Sequence, residues 1–93
     1  KGNKNMSFNS WLDTFIEEKG IDTHTEFEFK ENGMTHLVET ACVVAWIKNL
    51  NAAAKAKIKS NFVKIDFCNG DPMHFFEYLA KGMIKAATIM ENK

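Results

Sequence analysis

Residues 63–80, VKIDFCNGDPMHFFEYLA, decide how this chain folds. Val63, Ile65 and Phe67 alternate with Lys64 and Asp66, the period of a half-buried strand. Asn69-Gly70 then gives a strong hairpin signal. Asp71-Pro72 follows at once and announces a helix: Asp is a good N-cap, and proline loses nothing at the first helical position. Beyond it Phe75, Phe76, Leu79, Met83, Ala86, Ala87 and Met90 recur with helical spacing, and no alternating run appears. The pattern predicts a strand over Phe62–Cys68 and a long helix over about Pro72–Met90. Gly70 is expected to supply a positive φ at the corner.

Working back, Ala52–Lys59 is a strong helix former by composition, with Ile58 inward and Ser60-Asn61 as the expected break. TACVVAWIKNL (40–50) reads as another helix. Thr40 is its candidate cap, and Val43, Val44, Ile47 and Leu50 form its stripe. Glu26–Lys30 alternates polar and apolar, Glu31-Asn32-Gly33 turns, and Met34–Val38 returns, which predicts a β-hairpin. Phe8, Trp11, Leu12, Phe15 and Ile16 make one apolar stripe on a helix over Phe8–Lys19, capped by Ser7 or Asn9 and stopped by Gly20. The expected order is α-β-β-α-α-β-α. The expected class is α+β, a small three-stranded antiparallel sheet with helices packed on one face.

The 93 residues suit one domain. Residues 6–93 are expected to form it, with Lys1–Asn5 as a tail. Hydrophobic residues make up 45% of the chain, which argues against disorder. Nothing resembles a signal peptide, a membrane span or a secreted disulfide framework, so a cytoplasmic, reduced protein is expected. Net charge is zero but unevenly spread. Ser10–Glu39 carries eight acids and two lysines, a net of −6, and Thr40 onward carries eight lysines and four acids. Every basic residue is lysine. The lack of arginine weakens a case for sequence-specific DNA reading.

Several constellations carry candidate chemistry. His36, Cys42, Cys68 and His74 are zinc-ligand types, but their spacing matches no common finger and both thiols are expected in the core, so no metal and no cofactor is predicted. Cys68 with His74 one helical turn away is the best nucleophile–base pair, yet no third orienting group or oxyanion hole can be named. Asp66 and Asp71 read as a strand surface charge and a helix cap. CNGDP lacks the glycines of a phosphate loop. Lys55, Lys57, Lys59 and Lys64, with Lys48 nearby, form a basic cluster that suits nucleic acid, although lysines on an alanine-rich helix usually mark a solvated face. The final helix is apolar over more than one stripe, so Phe75, Tyr78, Leu79, Met83 and Ile84 are the candidate interface, and a homodimer is expected.

WLDTFIEEKGID (11–22) and VKIDFCNGDPMHFFEYLAK (63–81) resemble short uncharacterised proteins encoded by bacterial phages, prophages and plasmids, over most of the chain from Met6 on. That resemblance implies a small accessory protein that binds one host or phage component, including inhibitors of bacterial defence. The expectation is therefore a non-enzymatic protein binder. It would use the aromatic final helix and, separately, the acidic first third, which could steer association with a basic surface. A nucleic-acid-associated protein using the lysine cluster is the alternative, and an enzyme built on Cys68 and His74 comes third.

Overall fold

A computed structural model describes residues 6–91. Its elements are α1 (Phe8–Lys19), β1 (Glu26–Glu31), β2 (Met34–Glu39), α2 (Thr40–Lys48), α3 (Ala52–Phe67) and α4 (Pro72–Glu91). The class is α+β: four helices and one two-stranded antiparallel sheet among the described residues. The expected tail, residues 1–5, and the side chain of Met90 lie outside them.

The expected third strand is not formed. Of the expected strand Phe62–Cys68, Phe62–Phe67 continues the helix begun at Ala52 and Cys68 caps its end, and Ser60-Asn61 does not break it. The burial pattern shows why. Ile58 and Phe62 are buried and Ile65 half-buried, the i, i+4, i+7 spacing of one helical face. A strand would have grouped Val63, Ile65 and Phe67 on one side. Instead Val63 is 49% exposed and Phe67 88% exposed. Asn61 fits mid-helix by donating from Nδ2 to the Lys57 carbonyl at 3.1 Å. Asn51 caps the helix start, its side chain accepting from the Ala54 amide at 2.8 Å.

Asn69-Gly70 therefore ends a helix rather than a strand. The Asn69 amide donates to Asp66 O at 3.1 Å and the Gly70 amide to Ile65 O at 2.8 Å, a Schellman closure. Asn69, not Gly70, takes the left-handed conformation, with φ 59°. Gly70 serves close approach instead: a Cβ there would lie 3.1 Å from Ile65 Cγ2. Asp71 and Pro72 act as expected, Asp71 Oδ1 accepting from the Met73 amide at 3.0 Å as α4 begins.

The other elements follow the expected order. Ser7 caps α1 and Gly20 (φ 62°) closes it. Asn32 and Gly33 both have positive φ, the two-residue turn that suits a hairpin. Phe27 pairs with Val38 and Phe29 with His36 on the face turned to the helices, while Glu26, Glu28, Lys30, Thr35 and Leu37 are exposed on the other. β2 runs into α2 with no intervening residue. Thr40 is the first helical residue rather than the cap and is fully buried. Its amide and its Oγ1 both donate to Thr25 O at 2.9 Å, and the Ala41 amide donates to Thr23 O at 2.8 Å. The α1–β1 loop thus caps α2 with main-chain carbonyls. One core joins Leu12 and Phe15 of α1, Phe27 and Val38 of the hairpin, Val43 and Ile47 of α2, Ile58 and Phe62 of α3, and Phe76, Leu79, Ala80 and Ile84 of α4.

Candidate functional site

Helices α2 and α4 pack side by side through a short apolar seam. On α2 the buried residues are Thr40, Val43, Val44 and Ile47. Trp46 falls one position off that stripe, so its indole turns to the flank and stays half-buried. On α4, Phe76, Leu79, Ala80 and Ile84 face inward, while Tyr78 is 70% exposed. Between the helices lies an open groove of about 320 Å³, lined by Trp46, Tyr78, Leu79, Lys81, Gly82 and Lys85. Lys81 and Lys85 are exposed and one helical turn apart, so they flank it with positive charge.

Gly82 gives the groove its depth. It lies in the interior of α4, its φ is not positive, and a Cβ built there would meet nothing within 4 Å. A glycine in a helix interior costs about 1 kcal/mol relative to alanine. Neither backbone conformation nor internal packing calls for it at this position.

The five interface residues expected on α4 do not share one surface. Leu79 and Ile84 are each 8% exposed and belong to the core of the single chain. Phe75 and Met83 are half-buried against that core. Phe75 meets Phe62 edge-on, with centroids 4.8 Å apart, and stacks on Tyr78 at 5.9 Å. Tyr78 alone of the five stands well into solvent. Trp46, Lys81, Gly82 and Lys85 were not singled out from the sequence. The available signals were a tryptophan one step off the α2 stripe and a glycine inside a predicted helix.

The lysine cluster divides. Lys55 Nζ lies 5.9 Å from the Phe8 ring centroid and Lys59 Nζ 5.3 Å from that of Trp11, both beside α1. Lys57 and Lys64, seven residues apart, share another flank of α3, because residues two apart on a helix diverge by about 200°. Lys48 is tied to Asp13 Oδ1 at 2.6 Å.

Both cysteines are exposed rather than buried. Cys42 faces outward four residues before Trp46. Cys68 is the C-cap of α3, its amide donating to Lys64 O and Ile65 O, and no hydrogen bond joins it to His74. His74 Nε2 lies 3.9 Å from Asp71 Oδ2, and His24 Nδ1 3.6 Å from Glu39 Oε2. His36 is half-buried on the inner face of the hairpin. Among the described residues no group of three or more His, Cys, Asp or Glu side chains is placed to hold a metal ion. No described helix is long and apolar enough to cross a membrane.

No protein-family model matches this sequence, and no curated protein or solved structure is significantly similar to it.

Proposed function

We propose that this protein is a binding module whose α2–α4 groove holds a segment of another protein, one with an apolar or aromatic anchor and acidic neighbours. The observation that carries this is Gly82. It weakens its own helix, leaves open space above Leu79, and sits between an exposed tyrosine and a half-buried tryptophan. Tyrosine and tryptophan supply large contact area at low entropic cost and dominate interface hot spots. Lys81 and Lys85 supply complementarity to an acidic flank. An accessory role toward a host or defence component, as the phage-type resemblance implies, belongs to this proposal and rests on that resemblance alone.

Peptide display against the wild-type protein tests it. The expected winners carry a hydrophobic anchor next to Asp or Glu. Tyr78→Ala should weaken them about tenfold or more, the order of one hot-spot side chain. Lys81→Glu with Lys85→Glu should do the same and remove their dependence on salt. Gly82→Leu should block binding while raising the melting temperature. Winners indifferent to all three changes would remove the groove from consideration. Lys55, Lys57, Lys59 and Lys64 support the alternative, a nucleic-acid-associated protein, only as separate edges of α3. A mobility shift with mixed DNA and RNA at low salt is its test, and no shift would end it.

A further inference from the structure

The hairpin leaves one strand edge open that is uncharged from Met34 to Val38. Its two-residue turn makes Glu31 and Met34, Phe29 and His36, and Phe27 and Val38 the pairs that exchange hydrogen bonds. The N–H and C=O groups of Thr35 and Leu37 on β2, and of Glu28 and Lys30 on β1, therefore point away from the ladder. No backbone hydrogen bond from another described element reaches Thr35 or Leu37. The two edges differ in how they are guarded. β1 carries Glu26, Glu28 and Lys30, and charge along an edge deters strand addition. β2 carries a single charge, Glu39, at its junction with α2, and from Met34 to Val38 it has no lysine, acid or proline. Beside it Met34 and Leu37 are 61% and 62% exposed.

We propose that β2 pairs with β2 of a second copy, antiparallel across a two-fold axis at His36. Thr35 then faces Leu37 of the second copy, and each of these pairs exchanges both main-chain hydrogen bonds, because both residues present theirs outward. Met34 meets Val38 of the second copy on the helix-facing side. No two carboxylates fall opposite one another in this register. Such an interface is isologous and closed, so it gives a dimer rather than a filament. It also turns a two-stranded sheet into a four-stranded one, above the size at which a sheet becomes stable by itself.

Sedimentation equilibrium over a wide concentration range, with amide exchange by NMR, tests this. The wild type should form a dimer, and the Thr35 and Leu37 amides should become protected as concentration rises. Leu37→Lys places a charge on the edge and should abolish both effects. Glu28→Lys, on the other edge, should leave them intact. A wild type that stays monomeric at NMR concentrations would overturn the proposal. So would a dimer that survives Leu37→Lys, which would place self-association elsewhere, for example at α4.

Discussion

Phe62 is fully buried and meets four other rings: Trp11, Phe15, Phe75 and Phe76, at centroid distances of 6.4, 5.2, 4.8 and 4.9 Å. It joins α1, α3 and α4 at one point. Phe62→Ala should lower stability by about 3–5 kcal/mol, the usual cost of emptying a phenylalanine site. Phe67→Ala, five residues on, should change it by less than about 0.5 kcal/mol. Urea unfolding measures both. The contrast is diagnostic, since a strand in this segment would put Phe67 inward and reverse the order. Asn69 offers a second test. Its left-handed backbone costs a side chain with a Cβ about 1–2 kcal/mol, less for asparagine. Asn69→Val should therefore destabilise by about that much, and Asn69→Gly should be tolerated.

At the scale of the element, α3 is where helix and strand patterns compete. Its first half is alanine and lysine, good helix formers. Its second half, FVKIDF, fits both periods: Phe62 and Ile65 continue the helical face from Ile58, while Val63, Ile65 and Phe67 alternate. Local sequence cannot choose between them. The choice falls to tertiary packing, which seats Phe62 among the rings of α1 and α4. The hairpin and α1 were legible because Asn32-Gly33, Ser7 and Gly20 carry turn and cap chemistry in their side chains or lack of one. The groove was less legible. Its shape depends on which flank of α2 meets α4, and no spacing within either helix encodes that. Ser60→Pro tests the continuity of α3. In a helix interior proline costs about 3 kcal/mol or more, so far-ultraviolet dichroism should weaken and the urea midpoint fall. At a connection before a strand it would be nearly neutral. The ion pairs that α1 makes, Asp13 with Lys48 and Lys19 with Asp66, are partly exposed and should contribute less than about 1 kcal/mol each.

Across the whole molecule, every element contributes to the same core, and no element could bury its apolar face alone. Unfolding should therefore be one transition, with near- and far-ultraviolet dichroism tracing the same urea curve. A hairpin that melted first would separate them. The charge imbalance has a spatial side too. Acids populate α1 and the outer face of the hairpin, while Lys81 and Lys85 border the groove. Finally, the joint where Thr23 and Thr25 lend their carbonyls to the start of α2 has a genetic consequence. Two of its three donors and both acceptors belong to atoms that every non-proline residue possesses. Exchanging threonine for alanine at 23 or 25 leaves those oxygens in place, so a substitution scan would pass over this junction almost silently. Adding or deleting one residue between Gly20 and Thr25 would shift the oxygens out of reach, and the junction would then register as intolerant of length change yet indifferent to spelling.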